Sequence, residues 1–118
     1  MREINIQAPT GYRFVRMGTG FGWQIPLELQ CGKFVYLSVN NRDGGYGANQ
    51  GQMELAILRT AEFASAINLS EDDVVEGFLD LIEIAQIIVF LKGKTLEEID
   101  KMVENVGYLD IRKEIEVS

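Results

Sequence analysis

Hydrophobic and polar residues alternate through the first forty positions, in the manner of half-buried β-strands. Turns containing Pro9, the GTGFG stretch and Cys31-Gly32 interrupt the alternation. The pattern therefore predicts four antiparallel strands, at residues 3–7, 12–17, 23–30 and 33–40.

Beyond residue 48 the apolar positions recur with the period of helices. Asn49 and Gln52 have the spacing of a capping box and predict a helix that runs to Ile67. Ser70 and Asp73 repeat that spacing and predict a second helix at residues 71–91. Because only three residues separate the two, we expect an antiparallel helical hairpin.

The third predicted helix, residues 96–106, has the clearest boundaries. Thr95 and Glu98 form a capping box at its start, and Gly107 follows its end. The tail at residues 109–117 alternates again, which predicts a last strand that returns to the sheet. The expected fold class is α+β: an antiparallel sheet of about five strands in the order ββββ-ααα-β, packed with a helical hairpin and a short third helix.

The predicted second helix combines an acidic stripe with an excess of apolar surface. Four acids share the stripe at spacings of three and four: Asp72, Glu76, Asp80 and Glu83. Apart from these acids, nearly all positions between 78 and 91 are apolar. One helix cannot bury that much apolar surface against a single layer. We expect a homo-oligomer that assembles through this 71–91 helix, with contact residues among Phe78, Ile82, Ile88 and Phe90.

Length and charge narrow the class of protein. The 118 residues fit a single domain, 1–118, with one core. The net charge of −7 divides into about +2 up to residue 50 and about −9 beyond it. Because the part beyond residue 50 has few basic residues, duplex nucleic acid is an unsuitable partner for it. The single Cys31, a polar N-terminus and carboxylates within the longest apolar run favour a cytoplasmic protein without a membrane span.

The absence of histidine removes the commonest general base, every nucleophile activated by histidine and the usual zinc ligands. The GKT at residues 93–95 does not follow a strand, so it is no P-loop. The calcium-loop spacing from Asp43 to Glu54 fails at Gly45 and Gly47, which carry no ligands. We therefore expect no enzyme, no cofactor and no metal site.

The stretch NNRDGGYGANQGQ, residues 40–52, is the candidate site, and we call it the glycine-rich segment. Its glycines free backbone amides beside a predicted helix start, which favours an anion. Arg42 adds a bidentate anion donor and Tyr46 a stacking surface. The predicted ligand-binding residues are Arg42, Gly44, Gly45, Tyr46, Gly47 and Asn49, joined by Arg13, Arg16 and Trp23 from the same half of the chain.

Two functions fit these features. The first is non-enzymatic binding of an anionic small molecule, a nucleotide or nucleotide-derived signal, by a homo-oligomer that holds it near a subunit boundary. The alternative is an acidic interaction module, such as an immunity protein or an inhibitor, whose stripe imitates phosphates and meets a basic protein partner. A purely structural interpretation of the glycine-rich segment, as a long connection over the end of the sheet, also stays open.

Overall fold

The computed structural model describes residues 13–17, 20–40 and 52–117, which form an antiparallel sheet and three α-helices. The predicted α+β class is confirmed. The sheet has five strands, β1 Arg13–Met17, β2 Gly20–Glu28, β3 Phe34–Asn40, β4 Met53–Leu58 and β5 Glu76–Leu79. The helices are α1 Leu81–Lys92, α2 Leu96–Val106 and α3 Ile111–Val117. The strand predicted at residues 3–7 lies outside the described residues.

The strands follow one another across the sheet in chain order, each antiparallel to the next. Residues paired across an antiparallel sheet share a face, so the register assigns each position to one of two faces. The face that carries Trp23, Val39 and Leu55 is the core face. The face that carries Gln24, Ser38 and Ala56 is the outer face.

The three helices cover the core face. Ile87 and Leu91 of α1, Ile99 of α2 and Ile111 of α3 are fully buried and join the apolar side chains of the core face in one cluster. Removing these side chains from water supplies the main favourable free energy of folding. The single predicted domain therefore has its core between the sheet and one layer of helices.

The helix predicted at residues 50–67 is wrong. Its first half is strand β4, in which all six residues of MELAIL are buried. A strand that is covered on both faces is a continuous apolar run, and such a run does not show the period of two that identifies a half-buried strand. A 3-10 turn at Phe63–Ser65 follows, and the predicted helical hairpin does not form.

The helix predicted at residues 71–91 is also wrong over its first ten residues, 71–80. Ser70 does not cap a helix: its amide donates to the carbonyl of Asp73 within a turn. Strand β5 follows, and α1 begins only after Asp80. The Asp80 carboxylate accepts a hydrogen bond from the Glu83 amide at 2.8 Å, and the Glu83 carboxylate accepts one from the Asp80 amide. Asp80 and Glu83 are therefore a capping box and not members of a helical stripe.

The predicted last strand is instead helix α3. Ile111 and Ile115 are both buried, and their spacing of four fits one face of a helix as well as one face of a strand. Asp110 accepts a hydrogen bond from the Lys113 amide at 3.2 Å and so caps the first turn. The element order is accordingly βββββααα.

Helix α2 confirms the third predicted helix with its boundaries. The Thr95 hydroxyl accepts the Glu98 amide at 3.1 Å, and the Glu98 carboxylate accepts the Thr95 amide at 2.9 Å. Gly107 ends the helix with a φ of 92°, a left-handed conformation that glycine adopts without strain. Local capping chemistry thus sets both ends of this helix.

Arg112 of α3 joins α3 to the junction between β5 and α1. Its guanidinium donates to the carboxylates of Glu76 at 3.0 Å and Glu83 at 2.8 Å, and to the carbonyls of Gly77 and Phe78 at 2.8 and 3.1 Å. Phe78 has a φ of 59°, which costs free energy for a residue with a side chain. The contacts with the two carbonyls hold the backbone in this conformation.

Replacing Arg112 with methionine is expected to lower the free energy of unfolding by about 1.5–3 kcal/mol, because several bonds to charged or carbonyl groups are lost together. The matched control is Arg59→Met, which breaks the exposed Arg59–Asp100 ion pair and is expected to cost less than about 1 kcal/mol. Urea unfolding measures both values. Equal losses in the two variants would contradict the role assigned to Arg112.

Candidate functional site

A cavity of about 350 Å³ opens on the outer face of the sheet, and we call it the outer-face pocket. Its volume is within the range typical of small-molecule sites. Strands β3 and β4 supply its floor, and Phe63 and Val75 supply its wall. The lining residues are Ser38, Asn40, Glu54, Leu55, Ala56, Phe63 and Val75.

The wall belongs to the connection between β4 and β5, residues 59–75, which folds against the outer face. The Gln24 side-chain amide donates to the carbonyl of Ala61 at 2.9 Å and so ties this connection to β2. The Ser65 hydroxyl organises the turn itself, accepting the Thr60 amide at 2.9 Å and donating to the Glu62 carbonyl at 2.7 Å. The pocket is therefore a gap between a sheet and a connection with its own internal hydrogen bonds.

The polar end of the pocket lies where the glycine-rich segment begins and ends. Asn40 is the last residue of β3, and Glu54, its cross-strand partner, is the second residue of β4. Both side chains are buried although both are polar. A few polar side chains in an otherwise apolar cavity are a feature that binding sites share.

Most of the predicted ligand-binding residues lie outside the described residues. These are Arg42, Gly44, Gly45, Tyr46, Gly47 and Asn49. They connect Asn40 of β3 to the start of β4 along the chain, so the predicted site and the outer-face pocket share one end of these strands. The helix that Asn49 was predicted to cap is strand β4, and that part of the anion argument is lost.

Arg13 and Arg16 of β1 occupy different sets of register positions. Arg13 pairs with Gln24, which pairs with Ser38, so position 13 belongs to the row of the outer face that reaches the pocket. Adjacent strands are about 4.8 Å apart, which puts position 13 roughly 10 Å from Ser38. Arg16 pairs with Phe21, and position 16 belongs to the other row of β1, which alternates with the row of position 13.

Trp23 lies on the core face, 5% exposed, within the main apolar cluster. Its cross-strand partner in β3 is Val39, also a core residue. The sheet therefore separates the Trp23 side chain from the outer-face pocket. The aromatic side chain that does line the pocket is Phe63.

Sequence reasoning did not identify Ser38, Asn40, Glu54 or Phe63. A signal was present in two of them, because Ser38 and Asn40 are polar positions that alternate with the buried Val35, Leu37 and Val39. Glu54 is the one charged residue in the apolar run of β4. Their importance depends on the cover supplied by residues 59–75, most of which were predicted to belong to two helices.

The pocket offers different chemistry at its two ends. The Glu54 carboxylate accepts hydrogen bonds, while the Asn40 amide and Ser38 hydroxyl can donate or accept them. Phe63, Ala56 and Val75 provide apolar contact. A ligand complementary to this lining combines hydrogen-bond donors for the Glu54 carboxylate with an apolar ring that packs beside Phe63.

The acids predicted to form a phosphate-mimicking stripe are dispersed in the structure. Asp72 lies in the connection, Glu76 in β5, Asp80 at the helix cap and Glu83 in α1. Arg112 forms ion pairs with Glu76 and Glu83, so two of the four negative charges are compensated within the chain. The helical stripe on which the interaction module was based is not present.

The described residues contain no cluster of three or more His, Cys, Asp or Glu side chains that could hold a metal ion. Among the same residues, no helix has the length and apolar character needed to cross a bilayer. Cys31 is exposed in the turn between β2 and β3. Hydrogen bonds from the backbone amides of Leu96 and then Lys33 lower the pKa of its thiol.

Replacing Gln24 with alanine is expected to loosen the wall of the pocket, because it removes the bond to Ala61. Hydrogen exchange of the Ser65 and Ala66 amides is expected to become roughly 2–10-fold faster, which corresponds to about 0.5–1.5 kcal/mol for one hydrogen bond. Gln30→Ala is the matched control, since Gln30 donates the same kind of bond to the carbonyl of Lys92 at 2.8 Å. If both variants leave these amides unchanged, Gln24 does not secure the wall.

Comparison of the chain with protein-family models, with curated proteins and with solved structures finds no match. The chemistry of the outer-face pocket therefore carries the functional proposal.

Proposed function

We propose that the protein is a non-enzymatic binding protein, a homo-oligomer that sequesters or senses a nucleotide or a nucleotide-derived signal. The ring and sugar of the ligand occupy the outer-face pocket, and its phosphate meets the glycine-rich segment. The observation that supports this proposal most directly is the position of Asn40 and Glu54. These two buried polar residues line the cavity and also flank the segment that carries Arg42.

A nucleotide fits both ends of this arrangement better than a simple anion does. Inorganic phosphate lacks an apolar part that could fill a cavity of about 350 Å³. A neutral nucleoside has the hydroxyl and amino donors that Glu54 and Asn40 can accept, but it does not use Arg42. Only a molecule with a neutral ring and an anionic group uses the pocket and the segment together.

Sequestration or sensing is favoured over catalysis by the groups that are available. The chain has no histidine, and among the described residues that line the pocket Glu54 is the one carboxylate. General acid–base and nucleophilic mechanisms need a matched pair of groups. Holding a ligand requires only complementary hydrogen bonds, apolar contact and a counter-charge.

The interaction module has less support in the geometry. Its proposed charge stripe depended on a helix that the chain does not form, and Arg112 binds two of its four acids. A basic protein partner would have to compete with that guanidinium. The small-molecule proposal uses a cavity that the chain does form.

Arg42→Ala is expected to weaken nucleotide binding by about 1.5–3 kcal/mol, the usual contribution of a hydrogen bond to a charged group, and to leave the melting temperature of the free protein unchanged. Thermal shift and calorimetry with mono-, di- and cyclic nucleotides provide the measurement. Arg59→Ala is the control, because Arg59 is an exposed arginine paired with Asp100 outside the pocket lining. If no nucleotide raises the melting temperature, or if wild type and Arg42→Ala respond equally, the proposal fails.

Glu54→Gln tests the part of the ligand that lies inside the pocket. The substitution keeps the shape of the side chain and removes the charge that strengthens its hydrogen bonds, so nucleotide affinity is expected to fall about 10-fold or more. The control is Glu62→Gln, because Glu62 is an exposed acid in the connection at residues 59–75, and this variant is expected to leave affinity unchanged. Calorimetry on both variants compares them directly. Equal affinities in Glu54→Gln and wild type would remove Glu54 from the site.

A further inference from the structure

We propose that two copies of this chain associate through the solvent-exposed face of α1, with the two helices antiparallel about a twofold axis. This proposal rests on the homo-oligomer of the proposed function and not on its ligand. The exposed face of α1 carries Leu81, Ile82, Ala85 and Val89, and Phe78 of β5 is exposed just before the helix; we call these five residues the α1 ridge. Four of the seven large apolar side chains that the described residues expose belong to this ridge, at exposures of 49, 51, 71 and 72% for Phe78, Leu81, Ile82 and Val89.

The ridge lies on the side of α1 that faces away from the core. Ile84, Ile87 and Leu91 are buried under the helix, at a spacing of three and four. Ile82 and Val89 are separated by seven residues, or two turns, and therefore lie in line on the opposite side. A surface helix with one packed side normally carries polar residues on the other, so apolar residues here indicate a second contact.

Two of the residues predicted for a subunit contact do not belong to the ridge. Ile88 and Phe90 are partly buried and pack against the core of their own chain. Phe78 and Ile82 do belong to it. The contact therefore uses one outer stripe of the helix and not its whole apolar circumference.

The spacing along the ridge is self-complementary, which favours a second copy as the occupant. In an antiparallel pair, Ile82 of each chain meets Val89 of the other, and both of the most exposed apolar side chains become buried. The axis then passes near Ala85, whose small side chain lets the two helices approach closely. A twofold contact of this kind closes after two copies and leaves no further ridge exposed.

Charge favours the same orientation. Asp80 is exposed at the N-terminal end of α1, and Lys92 is exposed at its C-terminal end. The Glu83 carboxylate is bound by Arg112, whereas the Asp80 carboxylate has no ion pair among the described residues and accepts only the Glu83 amide. An antiparallel pair places Lys92 of one copy beside Asp80 of the other and also opposes the two helix dipoles. A parallel pair would bring like charges together.

The size of the ridge sets the expected affinity. Helix α1 has 12 residues and is about 18 Å long, and Phe78 extends the apolar surface past its first turn. This is a small contact compared with the roughly 800 Å² per partner of standard stable interfaces. We therefore expect a dimer of twice the 13.3 kDa chain mass, with a dissociation constant in the micromolar range.

Sedimentation velocity across a concentration series tests the contact with Ile82→Glu. Ile82 is exposed in the single chain, so the variant is expected to fold normally, with an unchanged circular dichroism spectrum, and to raise the dimer dissociation constant at least about 30-fold. The control is Val106→Glu, which places the same charge on an apolar position of α2 that is 62% exposed and lies outside the ridge. A wild type that stays monomeric at high micromolar concentration, or an Ile82→Glu variant that dimerises like Val106→Glu, overturns the proposal.

Disulfide trapping tests the orientation in a Cys31→Ser background. An antiparallel pair brings positions 82 and 89 of different chains within the roughly 4.4–6.8 Å between Cα atoms that a disulfide spans. A mixture of Ile82→Cys and Val89→Cys chains is therefore expected to cross-link, whereas Ile82→Cys alone is not. Cross-linking of Ile82→Cys with itself would show a parallel pair and contradict the arrangement.

Ligand binding separates this proposal from the function on which it rests. The ridge belongs to the helical layer on the core face, while the outer-face pocket lies on the opposite face of the sheet. Ile82→Glu is therefore expected to retain the nucleotide-induced thermal shift, and Arg42→Ala is expected to remain dimeric. Loss of nucleotide binding in the Ile82→Glu monomer would contradict this separation of pocket and dimer contact.

Discussion

Burial of strand β4 on both of its faces is the constraint on which the rest of the structure depends. Its side chains alternate between the helical layer and the outer face, and all six residues are buried. A sheet strand without solvent on either side needs cover from two layers, and the helices supply only one. Residues 59–75 supply the other, and the outer-face pocket is the space that this incomplete second layer leaves open.

The same division assigns separate tasks to the two sides of the molecule. The outer face has the cavity with Asn40 and Glu54 at the ends of the strands that the glycine-rich segment joins. The helical side has the Arg112 contacts, which fix the junction of β5 with α1 and hence the direction in which α1 leaves the sheet. In the proposed dimer the two pockets lie on outward faces, away from the subunit boundary at which the sequence had suggested a ligand.

Local chemistry made parts of this fold predictable. Helix α2 has a capping box, a glycine stop and one apolar stripe that all indicate the same element, and strands β2 and β3 alternate cleanly because helices cover one face of the sheet. The errors arose where burial removed the periodic signal. MELAIL is apolar throughout because it is covered twice, and the spacing of Ile111 and Ile115 fits a strand and a helix equally.

The outer-face pocket was not predictable from the sequence. Composition singled out the segment between β3 and β4, but the cavity beside it is formed by residues 59–75, and the fold of that connection depends on contacts such as Gln24 with Ala61 that are distant in sequence. Asp80 shows the same limitation. As one of four spaced acids it suggested a charged stripe, whereas the structure uses it to start a helix.

Nuclear magnetic resonance titration of the uniformly ¹⁵N-labelled protein with nucleoside mono- and diphosphates tests the central claim most directly. The account predicts that at least one of them shifts amide signals concentrated at Ser38, Asn40, Glu54, Ala56 and Phe63, with those of α2 unchanged. The groove of about 330 Å³ beside Arg112, lined by Glu83, Gln86, Ile115 and Glu116, provides the competing location. Shifts confined to that groove, or no shifts with any nucleotide at millimolar concentration, would contradict the assignment of the outer-face pocket as the binding site.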